Sequence, residues 1–352
     1  MRPAIVLTDT KADAKKILFH LLRRKTTRIE IDWISVAMLR GKDYFCGKIR
    51  ILIMKRLKGI LAGQAGSLQI VMLLSLIVIG AVLSSSFAVF ILQLLPGASP
   101  NLQNPDALRW IQLCSSIGTF LFPPLVMAWL CSTRPKEYLF IDESPQLYAL
   151  LLVMLSVFLI TPFITLTGLL NQQMALPSFM EPVERWMREQ EDLAEKITGL
   201  LLEGEGLLVF SANFLVIVIA AAVTEEFLFR GVLFRLFEKW TRNRHVIIWV
   251  GAILFSAFHM QFYGFIPRML LGAYFGYLLY WSKNLWLPVF AHFVNNAISM
   301  IGLSDNRLKE HEFVTGEISP EHLPGFVLFS LLTLGLFILC VRLLYKSCRK
   351  ED

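Results

Sequence analysis

Glu225, His259, His292 and Asn296 stand out because their side chains are costly where the sequence puts them. Each lies in or beside an apolar run. An ionisable group inside a lipid-buried helix costs roughly 2.5–3.5 kcal/mol on insertion scales, so its presence demands a reason. Together they offer a carboxylate, two imidazoles and a carboxamide. A carboxylate can take a proton from water while imidazole and amide donors stabilise an oxyanion. Two His and one Glu are equally the ligand types of a catalytic zinc site with an open position. Both arrangements hydrolyse amides.

Helical spacing divides the labour. In Thr224-Glu225-Glu226-Phe227-Leu228-Phe229-Arg230, Glu226 and Arg230 are four apart and share a face, so they can pair. Glu225 points about 100° away from Glu226. One carboxylate is then neutralised structurally and the other is left free as a base. The blander alternative is that both glutamates face water at the end of a span. Phe255 and His259 share a face, and a lone histidine there is more often a hydrogen-bonded core residue than a ligand. His292 and Asn296 share a face while Asn295 does not. An Asn in a span can simply bond another helix, worth on the order of 1 kcal/mol.

These residues must be carried by membrane helices. The chain is 55% hydrophobic and 17% charged, with a mean hydropathy of +0.59. A soluble domain carries about 25% charged residues. A hydrocarbon core about 30 Å thick needs about 20 apolar residues per helix. Eight runs qualify: 69–95, 108–131, 146–170, 207–229, 246–263, 266–281, 285–303 and 323–345. Backbone groups in lipid must be satisfied internally, so the expected fold is all-α, a polytopic bundle of about eight spans. Basic residues crowd the 230–245 loop and the C-terminus, and the 132–145 loop holds Arg134 and Lys136. The 96–107, 171–206 and 304–322 loops are neutral or acid-rich. The positive-inside rule then places both termini in the cytoplasm.

The net charge of +7 is concentrated at one end. Residues 1–67 hold 15 Lys and Arg against 5 Asp and Glu, leaving the other 285 residues at −3. That is the pattern of a basic segment on the cytoplasmic side of a lipid bilayer, not of nucleic-acid recognition. Lys11–Arg24 can form a basic amphipathic helix. Met54, followed by Lys55, Arg56 and Lys58, is an alternative translation start. The chain divides into 1–67, a basic cytoplasmic segment; 68–206, three spans and an outer segment; 207–303, the core holding the polar set; and 304–352, a last span and basic tail. Within 178–200 the apolar positions Trp186, Met187, Leu193 and Ile197 fit a surface helix at the outer interface, but a plain connector is the simpler reading and is preferred. The five cysteines form no CxxC pair and read as reduced apolar side chains. Gly272 and Gly276 read as a close-packing pattern.

The ordered set EExxxR, FxxxH and HxxxN, each on its own span, resembles the CPBP family of intramembrane proteases. This group comprises CAAX prenyl endopeptidases and the bacterial bacteriocin-processing or self-immunity (Abi) proteins. The resemblance covers about residues 207–303. It implies an eight-helix bundle with a site opening toward the cytoplasmic half of the membrane. It implies that Glu225 activates water, His259 assists, and His292 and Asn296 stabilise the oxyanion, with Glu226 and Arg230 as structural support. The family is commonly called a metalloprotease. If Zn²⁺ is bound, Glu225, His259 and His292 are its ligands; a metal-free glutamate mechanism fits equally. The implied partner is a membrane-associated protein or lipidated peptide, and the implied location a bacterial cytoplasmic (inner) membrane. Oligomeric state is left open. Two other classes use the same residues: a non-catalytic immunity or scaffold protein, and a proton-coupled transporter. The latter lacks the repeated halves and paired broken helices usual for transporters.

Overall fold

The computed structural model describes residues 57–95, 100–305, 307–308, 311–312, 316 and 318–349. The expected Lys11–Arg24 helix, the Met54 start and Cys46 lie outside these residues. Among those described there is helix and no strand. Helix α1 is Gly66–Leu94 and α2 is Pro105–Cys131, the latter passing through a π segment at Ile117–Leu121. Helix α3 is Leu147–Gln172, and α4 is Glu181–Leu202. Helix α5 is Leu207–Phe237, with π segments at Phe214–Ala220 and Phe227–Leu233. Arg244–Phe258 is α6, Phe265–Ser282 is α7, Trp286–Ser304 is α8, and Leu323–Arg349 is α9.

Among the described residues six helices are long and apolar enough to cross a bilayer: α1, α2, α3, α5, α8 and α9. They make the protein an integral membrane protein. The expected fifth and sixth spans fall short of that measure for different reasons. Helix α6 has 15 residues, a length of about 22 Å at 1.5 Å per residue, against a core of about 30 Å. Helix α7 has 18 residues but carries Arg268, Tyr274, Tyr277 and Tyr280, which lower its hydropathy.

The outer helices turn large apolar side chains outward, such as Val78, Val82 and Leu83 on α1 and Leu328, Leu332 and Leu336 on α9. In water this would be untenable; in lipid it is the expected surface. Inside are two apolar clusters. One joins α1 and α2 to α5 and α6 through Leu73, Met127, Phe229 and Ile248. The other joins α3 to α9 through Val153, Val157 and Leu344. Helices α7 and α8 contribute to both, so they form the centre of the bundle. Glycine lets helices approach where it is needed. A Cβ on Gly276 would sit 2.9 Å from Ile248 Cγ2 of α6, which bears out the close-packing reading of Gly272 and Gly276. A Cβ on Gly80 of α1 would sit 2.0 Å from the carbonyl oxygen of Gly118 in α2.

The preferred connector reading of 178–200 is corrected: after a 3-10 turn at Ser178–Met180 the segment enters the 22-residue helix α4. Pro182 stands in its first turn and acids Glu181 and Glu184 lie at its positive end, both of which favour helix there. Its pinning is tertiary and invisible in sequence. The buried Arg109 of α2 donates through Nε and Nη2 to the carbonyl of Leu201 at 3.2 and 2.9 Å, and through Nε to Asn213 Oδ1 at 2.7 Å. One guanidinium thus satisfies the open carbonyl end of α4 and ties it to α2 and α5. Among the described residues, Cys114, Cys131, Cys340 and Cys348 are free thiols, as expected.

Candidate active site

Three helices deliver the polar set. Helix α5 brings Glu225 and Glu226, α8 brings His292 and Asn296, and the end of α6 brings His259. The shortness of α6 is what makes the meeting possible. His259 is its C-terminal cap, so the ring hangs at the end of a helix too short to cross, at the depth of mid-α5.

Glu226 is fully buried, at 0% exposure, and Oε1 is the acceptor at the centre of a charged pair. Arg230 Nη1 donates to it at 2.8 Å, the i,i+4 pair expected from the spacing. The pairing survives the π segment that begins at Phe227. Arg230 spends its other terminal nitrogen on the carbonyl of Gly272 at 2.9 Å, and its guanidinium lies 4.5 Å from the ring centre of Phe255. What the spacing did not predict is that His292 Nδ1 also lies 2.9 Å from Glu226 Oε1. An ionised carboxylate only accepts, so His292 Nδ1 carries a proton and donates it here. Glu226 therefore orients a site imidazole besides neutralising Arg230. The ring of Phe275 stacks on His292 at 5.3 Å and 23°, and the edge of Phe255 closes the other side at 5.8 Å.

His259 follows the same logic. Its Nδ1 donates to the backbone carbonyl of Phe255 at 2.9 Å, one turn back, and the Phe255 ring itself packs on the imidazole at 5.0 Å. In both rings Nδ1 is committed and Nε2 faces the centre. Glu225 Oε2 lies 3.9 Å from His259 Nε2 and 4.0 Å from His292 Nε2. That oxygen is buried and hydrogen-bonds nothing else in the protein among the described residues. The two separations exceed a direct hydrogen bond and suit contacts bridged by a small molecule. A water placed there can donate one hydrogen to the carboxylate and the other to an imidazole Nε2, leaving its oxygen lone pairs outward.

The donor types match a zinc set, yet the geometry does not close one. Among the described residues no group of three or more His, Cys, Asp or Glu side chains is placed to hold a metal ion. Asn296 is only partly where the motif suggests. Its Nδ2 donates to the carbonyl of Ile217 at 3.0 Å, inside the first π segment of α5, and Oδ1 accepts from Asn295 Nδ2 at 3.2 Å. One N–H of the carboxamide is left for a ligand. Asn295, which the helical spacing set apart, thus supports Asn296 from the side.

Residues 208–298 match the family model described as type II CAAX prenyl endopeptidase Rce1-like. The match spans the segment that holds the site and agrees with the resemblance that its three motifs carry. The chain is also similar to an uncharacterized protein, YpbD, of Bacillus subtilis (strain 168), at 33% identity over 89 residues. That match covers 24% of this chain and 41% of the relative, so this chain spans about two fifths of the length of that protein. No solved structure matches the chain.

Proposed function

We propose that this protein is an intramembrane endopeptidase in which Glu225 is the general base. The observation that carries the reading is the position of Glu225 Oε2, buried, unbonded within the protein, and 3.9 and 4.0 Å from two imidazole Nε2 atoms whose rings are fixed from behind. A water held among these acceptors loses a proton to Glu225, and its oxygen attacks the scissile carbonyl carbon. The oxyanion is met by the remaining N–H of Asn296 and by His292 when its Nε2 carries a proton. Glu225 then gives the proton to the leaving nitrogen as the C–N bond breaks, with His259 able to share it. One water is consumed and the products are a carboxylate and an amine. The substrate is a membrane-associated protein or lipidated peptide, presented from the cytoplasmic side with both termini of the protease on that side.

General-base catalysis contributes typically 10²–10⁴-fold. New peptide termini in membranes from cells carrying wild-type protein or Glu225→Gln, compared by quantitative N- and C-terminal proteomics, test this. Cleavages that depend on Glu225 are expected and would reveal the substrates. Identical termini, with both proteins equally abundant, would overturn the reading.

A further inference from the structure

The chain after His259 is irregular backbone at the depth of the site. Helix α6 ends at Phe258, Met260 turns at a φ of 56°, and α7 starts only at Phe265. A non-glycine residue enters that left-handed region at a cost. Non-helical backbone at membrane depth persists only where protein or water meets its polar groups. Here side chains from three helices do so. From α3, Asn171 Nδ2 donates to the carbonyl of Phe262 at 3.0 Å and Oδ1 accepts from the N–H of Ile266 at 2.7 Å. From α7, Arg268 donates through Nη1 to the carbonyl of Gln261 at 3.3 Å and through Nη2 to Gln261 Oε1 at 2.7 Å. From α4, Glu191 Oε2 accepts from the N–H of Tyr263 at 3.2 Å, and Oε1 lies 3.5 Å from Gln261 Nε2. Around that carboxylate, the ring of Trp186 packs on Phe262 at 5.1 Å and the Arg188 guanidinium sits 4.7 Å over the ring of Tyr263.

Asn171 and Arg268 belong to helices whose apolar faces already fix them in the bundle. Glu191 does not: it reaches the loop from α4, a charged helix outside the spans, itself held at its far end by Arg109. We propose that Glu191 is a positioning residue for His259, holding the loop Met260–Gly264 from α4 so that His259 Nε2 stays aimed at Glu225. The proposal rests on the protease reading of the Glu225 site. The Phe255 carbonyl fixes the ring of His259 from one side, but His259 is the last residue before the left-handed turn, so its backbone moves if that turn relaxes. Removing Glu191 leaves the N–H of Tyr263 and the Nε2 of Gln261 without their acceptor, while Gln261 Oε1 stays on Arg268. The loop then gains by abandoning the strained turn at Met260.

The test compares purified full-length wild type, Glu191→Ala, Glu191→Gln and Glu189→Ala in lipid nanodiscs, Glu189 being exposed on the same helix. Hydrogen exchange over 260–266 is expected to rise about tenfold in Glu191→Ala, with α8 unchanged. Glu191→Gln, which keeps an acceptor for Tyr263, should restore most of the protection, and Glu189→Ala should match wild type. On a cleavage first shown to vanish in Glu225→Gln, Glu191→Ala should lower kcat about tenfold with KM within about twofold. That loss is below the hundredfold that a 1 Å misplacement can bring. Wild-type exchange in Glu191→Ala would overturn the latch itself. Raised exchange with unchanged kcat, or a change in KM alone, would overturn its role in placing His259. Should Glu225→Gln cleave normally, the protease reading fails first, and the exchange arm still decides whether Glu191 holds the loop.

Discussion

Replacing Glu226 and Arg230, singly and together, separates their two duties. Glu226→Leu leaves Arg230 buried with the Gly272 carbonyl and the face of Phe255 as its remaining partners. Breaking a buried ion pair from one side costs about 3–5 kcal/mol, because the surviving charge is uncompensated. Arg230→Met should cost a similar amount, leaving the fully buried Glu226 with His292 alone. The double variant Glu226→Leu/Arg230→Met removes both charges and fills the space with apolar atoms. Its remaining penalty is chiefly the orphaned N–H of His292, about 1–3 kcal/mol. The double variant should therefore be more stable than either single one, a non-additivity of several kcal/mol that contact residues permit. Denaturant unfolding in mixed micelles measures this. Activity should part company with stability: with Nδ1 untethered, His292 no longer presents Nε2 to Glu225, and the double variant should lose at least about tenfold in kcat. Wild-type turnover in a stable double variant would refute the orienting role of Glu226. Additive destabilisation would refute the pair.

Other outcomes follow from the same geometry. Gly80→Ala should destabilise the protein by more than the 1–3 kcal/mol typical of overpacking, since the new Cβ would fall 2.0 Å from a backbone oxygen of α2; Gly335→Ala, with nothing within 4 Å, should be near neutral in the same unfolding assay. Metal chelation should leave Glu225-dependent cleavage intact, as no metal-holding group is formed among the described residues. Loss restored by Zn²⁺ would instead assign Glu225, His259 and His292 as ligands.

Residue spacing carried much of the site. The separation of Glu225 from Glu226, the Glu226–Arg230 pair and the shared face of His292 and Asn296 all follow from 100° per residue, and the first two are seen. Spacing within one helix cannot report contacts between helices. The bond from His292 to Glu226 and that from Asn296 to Ile217 were therefore not legible. Neither were the π segments of α2 and α5, because an inserted residue in a uniformly apolar run leaves no periodic trace. The eight-run reading overstated α6 by counting Met260–Tyr263 as span. Met260 and Phe262 extend the apolar run, but the positive φ of Met260 ends the helix. Helix α4 was offered by its apolar spacing but set second to a connector, because the tertiary bonds from Arg109 and Glu191 that fix it leave no mark in the sequence.

The cost of burying four polar side chains in lipid is met in a consistent way. Each ring nitrogen that faces away from the centre is tied to an acceptor, Phe255 for His259 and Glu226 for His292, and Asn296 spends one N–H on Ile217. Facing the centre are the two imidazole Nε2 atoms and the buried, unbonded Oε2 of Glu225, 3.9 and 4.0 Å from them and too far for a direct hydrogen bond. A fold under selection for stability alone would have closed these gaps or replaced the groups with apolar ones, since an unmet buried acceptor costs about 1–3 kcal/mol. Keeping Glu225 Oε2 open at 3.9 and 4.0 Å from the two rings lets a water donate one hydrogen to the carboxylate and the other to an imidazole, leaving its oxygen free to attack.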